Sequence, residues 1–130
     1  MAGIYIHIPF CKQRCHYCDF HKSTSFQNVN ELISALYKEI KLRSNYIGEE
    51  PVESIYIGGG TPSVLSVETY NRLFNTLKST FKLQSTAEIT FEANPDDLSA
   101  DYIHQLADSP VNRLSIGIQS WCRKELKLLN

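Results

Sequence analysis

The stretch Ala87-Glu88-Ile89-Thr90-Phe91-Glu92-Ala93 decides the fold. As a strand it puts Ile89, Phe91 and Ala93 on one face and Glu88, Thr90 and Glu92 on the other. A strand covered by helices on both sides reads instead as an unbroken apolar run. This strand is therefore expected to pack helices on one face only.

The same alternation recurs on either side. Gly3 to Ile8 reads as a strand with Ile4, Ile6 and Ile8 opposite Tyr5 and His7, and Ser54 to Ile57 as a short second strand stopped by Gly58-Gly59-Gly60. Arg113 to Gln119 reads as a fourth, with Leu114, Ile116 and Ile118 opposite Ser115, Gly117 and Gln119. Helical spacing fills the intervals. Asn28 to Arg43 carries Leu32, Ile33, Leu36, Tyr37 and Ile40, with Asn28 and Glu31 as a start signal. Ser66 caps a helix of Tyr70, Leu73, Phe74, Leu77 and Phe81, and Ser99 caps one of Tyr102, Ile103, Leu106 and Ala107. Leu126, Leu128 and Leu129 form a last apolar pattern. The order βαβαβαβα calls for an α/β fold with parallel strands and right-handed crossovers. Because three of the four strands keep a polar or small face, a partial (β/α) barrel with a cavity on that face is expected. Four strands cannot close a barrel.

The 130 residues fit one domain, and 42% hydrophobic with 21% charged is ordinary globular usage. Lys+Arg 13 against Asp+Glu 14 leaves a net charge of −1, so no general field attracts phosphates or anionic membranes. Nucleic-acid binding is not expected. The run Ile4 to Phe10 is broken by His7 and Pro9 and is far short of the ~20 residues that span a bilayer. It has no basic leader or cleavage site, so a cytoplasmic setting is expected, where cysteines serve as metal ligands or catalytic groups more often than as disulfides.

Chemistry gathers after the strands, where α/β barrels keep their functional groups. After the first comes Pro9-Phe10-Cys11-Lys12-Gln13-Arg14-Cys15-His16-Tyr17-Cys18-Asp19-Phe20; after the second, Gly58-Gly59-Gly60-Thr61-Pro62-Ser63; after the third, Glu92-Ala93-Asn94-Pro95; at the fourth, Gln119-Ser120. Four distinctive strand ends argue for one composite site. Cys11, Cys15 and Cys18 in a CxxxCxxC loop can ligate three irons of a cubane cluster and leave the fourth iron open. They can also hold structural zinc, with His16, His21 or His7 as the fourth ligand of a non-enzymatic zinc-binding module. The other three loops favour the cluster, since zinc has no use for them.

Tyr5-Ile6-His7-Ile8-Pro9-Phe10-Cys11, followed by Cys15, Tyr17 and Cys18, resembles the opening of radical S-adenosylmethionine (SAM) enzymes. Together with Gly58 to Pro62, Glu92 to Pro95 and Arg113 to Ser120, it resembles the oxygen-independent coproporphyrinogen III oxidase family, which includes haem chaperones of the HemW type. The resemblance covers essentially the whole chain. It implies a 4Fe-4S cluster on Cys11, Cys15 and Cys18, and SAM chelated to the open iron and cleaved by one electron to methionine and a 5′-deoxyadenosyl radical. It implies Gly59, Gly60 and Thr61 at the methionine end of SAM, Tyr5 and Tyr17 beside the cluster and nucleoside, and Glu92 and Gln119 hydrogen-bonded to the sugar or amino-acid end. No catalytic residue is assigned.

Each of these residues also has a plainer reading. Tyr5 can be a packed aromatic, the triple glycine a turn, Glu92 a solvated carboxylate and His7 a satisfied core histidine. Cys122 reads as a small buried residue, and Lys38, Glu39, Lys41 and Arg43 as a solvated helix face.

The oxidase branch of the family carries a further cysteine two positions after the third ligand, where this chain has Phe20. The resemblance is thus closer to the chaperone branch, which binds haem and hands it to an acceptor protein. The alternative is oxidative decarboxylation of coproporphyrinogen III to protoporphyrinogen IX. A reductant protein and a haem or porphyrinogen ligand are implied either way. The resemblance further implies more βα units after Asn130, so that residues 1–130 are expected to be the N-terminal part of a radical SAM core, with apolar surface at the unpaired fourth strand.

Overall fold

The computed structural model describes residues 2–129 and shows a four-stranded parallel sheet in the order β1-β2-β3-β4. Strands β1 (Ala2–Ile8), β2 (Val52–Gly59), β3 (Leu83–Ala93) and β4 (Arg113–Ile116) alternate with helices α1 (Val29–Leu42), α2 (Val67–Thr80), α3 (Ala100–Ala107) and α4 (Arg123–Leu129). The α/β reading from the sequence is the fold observed.

Register explains the two faces. Ile6 pairs with Ile57, Ile57 with Phe91 and Phe91 with Leu114, so one row of apolar side chains crosses the whole sheet. The row beside it, Tyr5, Tyr56, Thr90 and Arg113, points the other way. Helices α1, α2 and α3 cover only the apolar face, where Ile8, Ile55, Ile57, Phe91, Tyr70, Leu73 and Leu77 are fully buried. Tyr70 meets Phe91 edge-on, with ring centroids 4.9 Å apart, and donates its hydroxyl to Pro62 O at 2.6 Å. That bond fastens the loop after β2 to the core.

The element boundaries differ from the expectation in instructive places. Ser66 and Ser99 cap α2 and α3 as expected, accepting from Thr69 N and Tyr102 N. Asn28 precedes α1 without any side-chain cap bond; only its carbonyl takes part, accepting from Leu32 N. The strand expected at Ser54 to Ile57 runs on through Gly58 and Gly59, which pair with His7 and Ile8. Glycine suits that pairing because a Cβ on Gly58 would lie 2.7 Å from the Tyr56 ring and 2.8 Å from Glu92 Oε2. β3 starts at Leu83 rather than Ala87, since Leu83 already pairs with Val52 ahead of a register shift. β4 stops at Ile116, short of Gln119. Gly117 N still reaches Ala93 O at 3.1 Å, and Gln119 then turns the chain aside with φ 64°.

Candidate functional site

The loops that leave the carboxyl ends of the strands enclose a cleft of about 470 Å³. Its lining includes Cys11, Cys15, Cys18 and Tyr17 from the first loop, Gly59, Gly60 and Thr61 from the second, Glu92 from β3 and Gln119 after β4. Nine of the ten expected site residues therefore come together on one cleft. Tyr5 is the exception. It lies further down the helix-free face, 57% exposed, with its hydroxyl 3.0 Å from His7 Nδ1 and its ring 6.0 Å from that of Tyr56.

The cysteine loop is fastened at its base and open at its crest. Cys11 N donates to Ser23 O and Ser23 N to Pro9 O, which makes a short parallel bridge at the foot of the loop. Phe10 is buried there and stacks on Phe26 at 5.8 Å. Further along, Cys18 N bonds Cys15 O, Lys22 reaches Cys18 O, and His16 N meets Leu129 O at the end of α4. All three thiols are free, Cys11 buried and Cys15 and Cys18 partly exposed. Tyr17 stands among them, and partial burial together with the nearby Cys15, Cys18 and Cys11 sulfurs pushes its phenol up.

Among the described residues, no three His, Cys, Asp or Glu side chains converge on the position of one metal ion. A cubane asks for something different from such convergence, because it presents a separate iron to each thiolate. Three free thiols along one cleft wall are the donor set that such a cluster takes.

The glycine loop packs straight onto the cysteine loop. Gly60 N donates to Ile8 O at 2.8 Å and Thr61 N to Phe10 O at 2.7 Å, while the Thr61 hydroxyl reaches Cys11 Sγ at 3.4 Å. A Cβ on Gly60 would lie 2.7 Å from Phe10 O and 3.0 Å from Cys11 Sγ. The close approach that glycine permits here is thus first an approach of the chain to itself. Gly59 N donates to Glu92 Oε2 at 3.1 Å, so the amides of Gly59, Gly60 and Thr61 are all engaged within the fold. The Thr61 carbonyl in turn accepts from Val64 N at 3.1 Å.

Glu92 is a bound carboxylate rather than a solvated one. Besides Gly59 N it accepts from the Tyr56 hydroxyl at 2.5 Å, and that bond is the main reason the Tyr56 phenol is pushed up. A carboxylate has about four acceptor positions, so two remain for a ligand hydroxyl. Gln119 is the one non-glycine residue with positive φ among the described residues, and it sits on the cleft wall. Such backbone costs energy and concentrates at binding sites.

Several residues here carried no signal as single letters. Asp97 lines the cleft with its side chain only 4% exposed, ion-paired to Lys12 and accepting from Ser63 Oγ at 2.6 Å. Tyr56 could have been found, since it occupies the same strand face as Tyr5. Cys122 is a correction: it is exposed, not buried, because α4, which it precedes, packs no residue into the core, and backbone amides of Glu125 and Lys124 pull its thiol down.

Fold and site together define an α/β protein with a thiol-lined, cofactor-sized cleft at the carboxyl ends of parallel strands. Comparison with known proteins places it within that class. The chain belongs to the Radical SAM superfamily, whose sequence pattern matches residues 5–130. That family in general uses SAM and a 4Fe-4S cluster.

The chain is 43% identical to the heme chaperone HemW of Bacillus subtilis over 123 residues, covering 93% of this chain and 32% of that protein. It is 38% identical to the oxygen-independent coproporphyrinogen III oxidase of Bradyrhizobium diazoefficiens over 125 residues, 92% of this chain and 27% of that one. The solved Escherichia coli coproporphyrinogen III oxidase HemN, described as a radical SAM enzyme, superposes with a TM-score of 0.90 at 32% identity, over 98% of this chain and 30% of its own. The chain thus spans about a third of the length of the relatives it matches.

Proposed function

We propose that residues 1–130 form the cluster- and SAM-binding part of a haem chaperone of the HemW type. The observation that carries this reading is the single cleft on which Cys11, Cys15, Cys18, Gly59, Gly60, Thr61, Glu92 and Gln119 converge. Cys11, Cys15 and Cys18 would each hold one iron of a 4Fe-4S cluster. The Gly59–Thr61 loop would meet the methionine end of SAM, and Glu92 and Gln119 would bond its sugar or amino-acid end. When bound, the cluster and SAM supply one-electron radical chemistry that no side chain offers.

The chain's own part is to bind, orient and shield. Tyr56 holds the Glu92 carboxylate in place, and Thr61 lends a hydrogen bond to the Cys11 sulfur; donors to a thiolate ligand tune its cluster. Tyr17, half exposed beside the thiols, would cover one side of the cluster. Tyr5, lower on the helix-free face, would act through His7 and Tyr56 rather than by direct contact.

Phe20 favours the chaperone over the oxidase. It lines the cleft 67% exposed, at the position where the oxidase branch has a cysteine. The haem or porphyrinogen ligand, a haem-acceptor protein, a reductant protein and a cytoplasmic setting belong to the same proposal. Among the described residues, no helix is long and apolar enough to cross a membrane.

Anaerobic reconstitution with iron and sulfide tests the reading. A reduced cluster whose paramagnetic signal changes on adding SAM is expected, and Cys15→Ala should abolish it. Colourless protein that binds one zinc per chain would instead establish the zinc module.

A further inference from the structure

The cysteine loop and the glycine loop reach the cleft from different strands, and a third loop joins them. Asp97 lies in the short 3-10 turn Pro95–Asp97 after β3. Its carboxylate is ion-paired to Lys12, the residue after Cys11, and accepts from Ser63 Oγ at 2.6 Å, in the loop that begins with the glycines. Ser63 in turn accepts from Asn94 N at 2.9 Å and is 4% exposed. With its side chain only 4% exposed, Asp97 is too buried for an incidental surface pair. One carboxylate therefore closes a triangle among the loops after β1, β2 and β3. Gly60 N–Ile8 O, Thr61 N–Phe10 O and Thr61 Oγ1–Cys11 Sγ join the first two loops directly; Lys12–Asp97 adds a tie one residue further on, towards Cys15.

We propose that Asp97 is a positioning residue: through Lys12 and Ser63 it holds the cysteine loop at a set distance from the glycine loop, and so sets the affinity for SAM without ligating the cluster or touching SAM. The inference rests on the function proposed above. A ligand that contacts both loops binds best when they are already in place, because a loose pair must be ordered at the moment of binding. Asp97 supplies that order in advance.

The test is a titration of SAM into the reduced, anaerobically reconstituted protein, reading the change in the cluster's paramagnetic signal. Iron content and melting temperature are measured on the same samples. Asp97→Asn, which keeps an acceptor for Ser63 but loses the charge, and Lys12→Met are each expected to hold a full cluster. Each should need roughly tenfold more SAM for half the spectral change. Lys12→Arg should restore the wild-type midpoint, and the double variant should be no worse than either single one, since both cut the same tie.

Wild-type titration curves for both single variants would overturn the inference and leave the proposed function standing. So would lost iron, or a lowered melting temperature with unchanged SAM dependence; the first would assign Asp97 to cluster assembly and the second to folding alone. Should Asp97→Asn fail to fold, Lys12→Met decides, because the Lys12 side chain is 62% exposed and its removal spares the core. A wild-type protein whose cluster ignores SAM would overturn the proposed function first and this inference with it.

Discussion

Strands β3 and β4 carry nearly the same alternation and meet opposite fates. In β3, Ile89, Phe91 and Ala93 are buried beneath the helices. In β4, Leu114 and Ile116 stand in register with Phe91 and Ala93, yet every residue of the strand is exposed. Leu114 is 41% exposed and Ile116 43%, and Ile118 beyond them 39%. Patterning tells which face of a strand is apolar, but burial needs elements packed over that face. β1 is an edge strand too, yet Ile6 and Ile8 are buried. By contrast α4, the helix after β4, has no buried residue. The site follows the same division, for its cysteine, glycine and carboxylate groups come from the three strands whose helices are packed, and only Gln119 comes from the fourth.

Substitutions along the shared row sharpen that contrast. Phe91→Ala removes a fully buried ring packed against Tyr70 and should cost about 3–5 kcal/mol, read from the urea midpoint. A cost below about 1 kcal/mol would mean that the core does not close around β3 as described.

A smaller effect is expected from alkali. Burial holds the Tyr70 phenol well above its ordinary 10.0. As pH climbs past that value the unfolded chain gives up its proton first, so the native state, which keeps the proton, loses stability. Below pH 10 this contribution is fully present. Melting temperature should therefore fall as pH rises above about 10, and fall less in Tyr70→Phe. Equal slopes in the two proteins would place the alkaline loss in another group. Tyr102, whose hydroxyl bonds Leu65 O, shifts in the same direction because it too is buried.

Least is expected at the edge. Leu114→Ala should change stability by no more than about 0.5 kcal/mol, the usual range for a surface substitution. If it costs as much as Phe91→Ala, the comparison of the two strands breaks, and β4 is covered in solution.

Much of the site was readable because its groups sit at strand ends, which alternation locates to within a residue or two. The glycine loop was readable as a ligand loop, but not as the surface on which the cysteine loop rests; that role depends on the Phe10 and Ile8 carbonyls. Asp97 is one of two adjacent aspartates, and no pattern distinguishes it from Asp96. Only the fold brings its carboxylate to Lys12, 85 positions earlier in the chain. The burial expected of Cys122 failed for a similar reason. Side-chain size suggests an interior, while α4 buries none of its residues and the thiol just before it stays in solvent.

What the residues settle unaided is local: period-2 alternation sets the faces of the strands, Ser66 and Ser99 set helix starts, and the CxxxCxxC spacing sets a three-thiol loop. Those are properties of neighbouring side chains, and they need only backbone geometry to act. Tertiary structure decided the rest. It engaged the amides of Gly59, Gly60 and Thr61 within the fold, bonded Glu92 to Tyr56, set Tyr5 away from the cleft and joined three loops through Asp97. Such contacts form between residues far apart in the chain, and they exist only once the sheet has brought their strands into register.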